Sequence, residues 1–342
     1  MGFIADFQRE MKRQSNRGRC LHFDRGGRCN EIIAAHSIQK SGQLKNIAED
    51  GHVYRLSADY SILKSTGGFP APRKISLNKV STFAGFCKYH DNELFKPIDE
   101  APLTPNHEQV ALYAYRCICR EFFVKENAVR VIKNLQNHPS LDPASKKHLS
   151  LTLKGHSLGF EGLKYHKEKF EDSIKSNRAY DCEYILFTST SACPLQMSGE
   201  LYPDFAFNGE ILQNLGNWDS LLDLITFFTA PTTDGWCFGF AWHVTSQNTC
   251  VPFVRSLGSY VGHGGKLEDA LLRFSFSCCE NHAFRISWWD KLPTQSKATL
   301  LDRMYLMASP NIPVPQEYLT QGCEGIADWK FDYVFTTLTI DN

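Results

Sequence analysis

Residues 85–99 read GFCKYHDNELFKPID, and this stretch decides how the first part of the chain is interpreted. It places Cys87 and His90 three positions apart, the spacing of a ligand pair in a zinc knuckle, where a helix can begin. A second pair, Cys20 and Cys29, brackets the polar loop LHFDRGGR upstream. Two separated pairs, the second at a helix start, predict a treble clef around one tetrahedral zinc ion. The alternative is that these are ordinary core thiols and a surface histidine.

The chain length favours more than one domain, because 342 residues exceed what a single hydrophobic core usually covers. We expect an α+β protein with a zinc-stapled, ββα-metal-like domain over residues 1–100 and an α+β domain over 179–342. Residues 101–178 should connect them. Helical periodicity begins near Asn106, and a second helical run covers about 145–177, so the two helices could pair as a hairpin.

After Tyr180 the sequence changes to apolar runs rich in β-forming residues. We expect strands within residues 182–190, 236–244, 271–278, 282–289 and 331–340. Helices are expected at LGNWDSLLDLITFF (215–228) and QSKATLLDRMYLM (295–307).

Positive charge is concentrated at the N-terminal end. Residues 1–90 contain 15 Lys and Arg against 7 Asp and Glu, whereas the remainder contains 22 against 30. Such a basic region suits a phosphate backbone, since phosphate contacts supply much of the affinity for nucleic acid. The predicted contacts are Arg13, Arg17, Arg19 and Arg73. The alternative is a solvated basic face that has no partner.

The twelve cysteines and the N-terminal sequence indicate a cytoplasmic protein. The start, MGFIADFQREMKRQ, does not read as a secretory signal, and no apolar stretch is long enough to span a membrane. We therefore expect buried thiols and metal-bound thiolates rather than a disulfide framework. Cys117 and Cys119 fall in a predicted helix. Cys278 and Cys279 fall in a predicted strand and are interpreted as core residues rather than nucleophiles.

Between the two ligand pairs, NEIIAAHSIQK (30–40) predicts a buried strand that ends at His36. With this strand, residues 20–99 resemble the treble-clef branch of the HNH, or His-Me finger, endonucleases. Members of that family have a Cys pair, a strand ending in Ala-His or Asp-His, and a second ligand pair that opens a helix. Ala35 stands where many relatives carry an aspartate, and His90 stands where cysteine is more usual.

The resemblance implies roles for three residues. His36 would be the general base that activates water. Asp91, directly after the last zinc ligand, would bind a catalytic Mg²⁺ or Mn²⁺ ion. Asn78 would be the middle residue of the signature. A base with a near-neutral pKa beside a divalent cation is a minimal hydrolytic site for phosphodiesters.

The implied function is a metal-dependent endonuclease, with DNA favoured over RNA as substrate. A nuclease joined to an unfamiliar C-terminal domain also resembles the effectors of prokaryotic antiphage defence. In that interpretation the C-terminal domain recognises a trigger or a protein partner. The alternative is a non-catalytic zinc-finger module that binds nucleic acid or protein, in which His36 is structural.

Overall fold

A computed structural model of the protein describes residues 2–24, 26–57, 59–308 and 314–339. The helices are α1 (Phe3–Ser15), α2 (Lys45–Ile47), α3 (Tyr60–Ser65), α4 (Lys88–Asp99), α5 (His107–Leu135), α6 (Pro143–Lys175), α7 (Gln247–Gly262), α8 (Leu267–Cys278), α9 (Ile286–Lys291) and α10 (Thr294–Ala308). The strands are β1 (Ile32–His36), β2 (His52–Ser57), β3 (Ala71–Ser76), β4 (Thr82–Cys87), β5 (Cys182–Ser189), β6 (Leu195–Leu201), β7 (Ile225–Pro231), β8 (Trp236–His243), β9 (His282–Phe284) and β10 (Tyr333–Thr336). The predicted α+β class is confirmed.

Within the described residues, eight strands form an antiparallel sheet in the order β10-β5-β8-β7-β6-β9-β2-β3. The hairpin β2–β3 belongs to the first hundred residues, yet it joins the C-terminal strands where Tyr54 lies opposite Phe284. The division into three domains stays a prediction, and the sheet contains strands from both sides of the expected boundary at residue 100.

Strand β8 shows how both faces of the sheet are covered. Large side chains alternate along it with small ones, and all are buried. The large ones belong to the core that α7 and α8 share with the sheet: Trp236, Phe238, Phe240 and Trp242. On the opposite face, a Cβ atom on Gly239 would lie 2.7 Å from Leu186 Cδ2 and 2.9 Å from Phe228 Cζ, so the site suits glycine. A strand that is buried on both faces has an unbroken apolar sequence, and this is the pattern that predicts a strand within residues 236–244.

Helix α5 is the central element against the second face of the sheet. It packs against β5 to β8, β4, α1 and α6. Its pairing with α6 confirms the predicted hairpin. Residues 109–119 are buried around the whole circumference of the helix. This buried stretch includes Arg116, whose guanidinium pairs with Asp99 at the end of α4.

The predicted strand over 271–278 is wrong, because these residues lie in α8. Residues 269–278 are all buried. A helix that is buried on every side has no amphipathic period, and the alternation in LLRFSFSC imitates a strand. The predicted strand over 282–289 is correct only as far as Phe284, since α9 follows.

The predicted helix over 215–228 is also wrong. The chain forms turns within residues 215–220, continues without regular structure over 221–224 and then enters β7. The side chains of Asn214 and Asn217 accept hydrogen bonds from backbone N–H groups two residues ahead, at 2.8 and 3.3 Å. Such Asx turns compete with the helical hydrogen-bond pattern.

The remaining predictions for the C-terminal half agree with the structure. Strands β5 and β10 lie within 182–190 and 331–340, although residue 340 itself lies outside the described residues. Helix α10 covers the predicted 295–307. Among the described residues, no helix combines the length and the hydrophobicity needed to cross a membrane.

Candidate functional site

Three cysteines and one histidine converge near the start of α4. The ligand atoms of Cys20, Cys29, Cys87 and His90 all lie within 4.8 Å of one another. His90 Nδ1 lies 3.4, 3.5 and 3.3 Å from the three Sγ atoms in chain order. Zinc bonds of about 2.3 Å to sulfur and 2.0 Å to nitrogen place such atoms about 3.5 Å apart at a tetrahedral ion. This set, called the metal cluster below, could hold a metal ion, and its donor types fit zinc.

Local backbone structure explains why the four side chains meet. Strand β4 ends at Cys87, which is the N-cap of α4, so His90 lies in the first turn of the helix. Two backbone hydrogen bonds, of 3.0 and 2.8 Å, join residues 19 and 21 to β4 and place Cys20 beside Cys87. The backbone N–H of Gly26 donates to Cys29 Sγ at 3.3 Å. The four-residue convergence predicted from the sequence is confirmed.

A further histidine adjoins the metal cluster. The ring of His22 stacks on that of His90, with centroids 4.1 Å apart and an interplanar angle of 1°. Burial lowers the pKa of His22 to about 4, so this ring is neutral at physiological pH. Sequence reasoning assigned no role to His22, although it lies inside the loop between the first two ligands.

A cavity of about 920 Å³ adjoins α4, and Asp91, the residue after His90, is part of its lining. His36, at the end of β1, and Asp91, next to His90, both line it. Strand β1 pairs with β4, with Ile32 opposite Cys87 and His36 opposite Thr82. The predicted strand that ends at His36 is therefore present, but the expected burial holds only for Ala35, since the other residues are half-buried or, at Ala34, exposed.

The imidazole of His36 is held through one nitrogen. Its Nε2 lies 3.0 Å from the carbonyl oxygen of Leu77, and because a carbonyl only accepts, Nε2 carries the proton and donates. Nδ1 then keeps its lone pair. Burial lowers the pKa of His36, and the positive charges of Lys40 and Arg116 lower it further, although the bond to Leu77 raises it. The ring that lines the cavity is thus neutral near pH 7.

The two aspartates that line the cavity have different surroundings. Asp99 accepts two hydrogen bonds from Arg116, at 2.8 and 2.7 Å, and the guanidinium also lies 4.1 Å from the ring centroid of Phe95. Asp91 accepts no hydrogen bond from the described residues, and burial raises its pKa to about 6 while Arg116 opposes the shift. One carboxylate is therefore fully engaged, and the other remains available to a ligand.

His36, Asp91 and Asp99 do not form a second preassembled metal site. Among the described residues, the metal cluster is the group of three or more Cys, His, Asp or Glu side chains whose ligand atoms converge. Asn78 is exposed and does not belong to the lining of the cavity. The neighbouring residue, Leu77, contacts His36 instead.

The four predicted phosphate-binding arginines are each paired with a carboxylate, and none lines the cavity. The pairs are Arg13 with Glu10 (2.7 Å), Arg17 with Glu126 (3.3 Å), Arg19 with Glu126, and Arg73 with Asp59 (2.8 Å). The cations that do line it are Lys40, Lys45 and Arg116, to which sequence reasoning assigned no role. The two lysines could have been found from their position directly after the strand that carries His36.

The cysteines interpreted as core residues are buried. Burial raises the pKa of the Cys278 thiol to about 12 and also raises that of Cys279. Cys117 and Cys119 lie in α5, as predicted, with pKa values that burial raises to about 12. None of these thiols provides a thiolate nucleophile at neutral pH.

Comparison with protein-family models, with curated proteins and with solved structures gives no match. What this site can do must therefore follow from the chemistry of its own residues.

Proposed function

We propose that the protein is a metal-dependent endonuclease that hydrolyses phosphodiester bonds of nucleic acid, with DNA as the favoured substrate. The observation that carries this proposal is that His36 and Asp91 line one cavity, beside a cluster that suits structural zinc. A neutral imidazole supplies a general base, and a free carboxylate supplies a ligand for a divalent cation.

The contacts of His36 support the role of a base. Donation from Nε2 to Leu77 fixes the ring and its tautomer, so that Nδ1 can take a proton from a water molecule. The positive charges of Lys40 and Arg116 disfavour the protonated imidazole before reaction, and the ammonium group of Lys40 also favours an anionic phosphate in the cavity. The neutral imidazole of His36 that catalysis needs is thus the form present before the reaction.

The role of Asp91 follows from the fact that no described residue donates a hydrogen bond to its carboxylate. Mg²⁺ commonly uses one or two carboxylates, several waters and the phosphates of the substrate, so a single free carboxylate fits a weakly held ion. When bound, such an ion would offset the charge that builds on the scissile phosphate. The metal cluster has four protein donors and no open position, which favours a structural role for its ion within a treble clef.

In the same proposal, the C-terminal sheet receives the trigger of an effector in prokaryotic antiphage defence. A hydrogen bond joins the sheet to the segment that carries Lys40 and Lys45. This contact supports coupling between the sheet and the cavity. Gln43 lies in the segment between two cavity-lining lysines, and its Nε2 donates to Gln196 on β6 at 3.2 Å. A partner that shifts β6 would therefore shift this segment.

The decisive experiment is cleavage of plasmid DNA with Mg²⁺ or Mn²⁺ by the wild type and by His36→Ala. We expect the substitution to reduce the cleavage rate by at least about a hundredfold, the usual scale for loss of a general base. Zinc content should stay unchanged and the variant should remain folded, with a loss of about 1 kcal/mol in stability at most from the hydrogen bond to Leu77. His148→Ala is the matched control, because His148 is exposed on α6 and does not line the cavity.

The second candidate is a non-catalytic zinc module that binds nucleic acid or protein. It is favoured because, of the two described carboxylates that line the cavity, Asp99 is already paired with Arg116, which leaves Asp91 alone to bind a divalent cation. DNA binding without cleavage by the wild type, in both metals, would replace the endonuclease proposal with this one.

A further inference from the structure

Two lysines that line the cavity differ from the arginines of the basic N-terminal region. Lys40 and Lys45 are exposed residues of the cavity lining, and neither forms an ion pair with a described carboxylate. Arg13 and Arg73, by contrast, have carboxylate partners at 2.7 and 2.8 Å. The positive charge available at the cavity therefore comes from the two lysines.

The segment that carries these lysines is anchored from inside. Residues 40–44 form a π-helical turn that continues into α2. Leu44 and Ile47 are fully buried in the small core that also includes Val53 and Val80. Because the backbone is already held by this packing, a ligand would need to order only the exposed lysine side chains. Short π-helical turns often occur at functional sites.

The charges inside the cavity leave these lysines as its principal anion-binding groups. Arg116 is already paired with Asp99 through two hydrogen bonds. Asp91 would be engaged by a divalent cation under the proposed function. Lys40 and Lys45 then remain as positive groups that no described carboxylate pairs with, and ammonium groups bind phosphate as point charges.

We propose that Lys40 and Lys45 bind two phosphate groups of a nucleic-acid backbone at the cavity. The ligand is thus a polynucleotide that spans both lysines, and a mononucleotide with a single phosphate would satisfy only one of them. This inference rests on the proposed function in taking a phosphodiester backbone as the ligand. It does not require that the backbone is cleaved.

The test measures the affinity of Lys40→Ala/Lys45→Ala for short fluorescent nucleic acids by anisotropy. The His36→Ala background and the omission of added divalent cations prevent cleavage. Duplex DNA and single-stranded RNA of the same sequence are titrated at several salt concentrations. The matched control is Lys64→Ala/Lys74→Ala in the same background, which removes two exposed lysines that do not line the cavity.

We expect the cavity variant to lose at least about tenfold in affinity for the nucleic acid that binds. Its log-log salt slope should fall by roughly 1.4 to 1.8, the contribution of two phosphates. The control variant should retain the affinity and slope of the parent. Zinc content and thermal unfolding of both variants should match the parent, because all four lysines are exposed.

The outcomes separate this inference from the proposed function. Equal affinities and slopes for the two double variants would overturn it, as would a parent that binds neither nucleic acid. If the cavity variant loses binding but the wild type cleaves nothing with Mg²⁺ or Mn²⁺, the phosphate contacts stand and the endonuclease proposal fails. If the wild type cleaves DNA and Lys40→Ala/Lys45→Ala binds like the control, only the phosphate contacts fail.

Discussion

The metal cluster and the cavity are neighbours that differ in how complete they are. In the cluster, four ligand atoms lie within 4.8 Å of one another, and together they make a full tetrahedral set. In the cavity, His36 and Asp91 line the same space without converging, and the carboxylate of Asp91 accepts no hydrogen bond from the part of the chain that the structure describes. Under the proposed function, the metal cluster would stabilise the fold through its ion, whereas the cavity would be completed only by substrate and a divalent cation.

The largest expected effect comes from Cys87→Ser, which removes a buried ligand of the cluster. Structural zinc contributes on the order of 10 kcal/mol in small zinc domains, comparable to the whole stability of many proteins. We expect zinc content to fall from about one equivalent per chain to near zero, with unfolding or aggregation of the N-terminal part. Elemental analysis and thermal unfolding measure both.

The control for this comparison is Cys117→Ser, which changes a buried thiol of α5 outside the cluster. It should keep its zinc, whatever its stability. Full retention of zinc by Cys87→Ser would show that the four side chains do not share an ion.

The next effect concerns the two aspartates of the cavity. Asp91→Asn should lower metal-dependent cleavage by at least about tenfold and raise the Mg²⁺ concentration needed, because it removes a ligand charge. Folding should be unaffected, since no described residue donates a hydrogen bond to this carboxylate. Cleavage assays over a Mg²⁺ titration, with zinc content measured in parallel, test this.

Asp99→Asn, by contrast, should act mainly on the stability of the fold. It weakens the pair with Arg116, whose side chain is only 3% exposed, while that of Asp99 is 34% exposed. We expect a loss of about 2–3 kcal/mol in the free energy of unfolding, less than for a fully buried pair. Equal effects of the two variants on Mg²⁺ dependence would contradict the distinction between a free and an engaged carboxylate.

A smaller effect is expected in the pH dependence of cleavage. His36 must be neutral to act as a base, and burial lowers its pKa, with Lys40 and Arg116 acting in the same direction and Asp99 opposing them. A lowered pKa keeps the neutral form present at more acidic pH. The acid limb of the rate profile should therefore have its midpoint below about 6.5, the ordinary value for histidine. A midpoint above that value would argue against His36 as the titrating base.

The smallest effect should come from the arginines predicted to contact phosphate. Arg13→Ala/Arg73→Ala should change nucleic-acid affinity by less than about threefold, because these charges are already paired with carboxylates and neither residue lines the cavity. Anisotropy titrations beside the Lys40 and Lys45 variants test this. A loss of affinity as large as that of the Lys40 and Lys45 variant would show that the predicted arginines contact the phosphates.

The sequence predicted features whose signal is local. The Cys87 and His90 pair is three residues apart at a helix start, and a short strand ends at His36. The prediction failed for 271–278, where complete burial removes the amphipathic period of α8. It failed again over 215–224, where asparagine side chains form turns within an apolar sequence.

The amino-acid sequence by itself determined the identity of the four candidate ligands and the local elements that carry them, because ligand spacing and helix periodicity are properties of neighbouring residues. Only the tertiary structure decided that Arg116 of α5 and Lys40 after β1 share a cavity with His36. It also decided that Tyr54 pairs with Phe284 across 230 positions of the chain. Such contacts depend on which buried faces pack together, and no local periodicity records which distant segment a given face will meet.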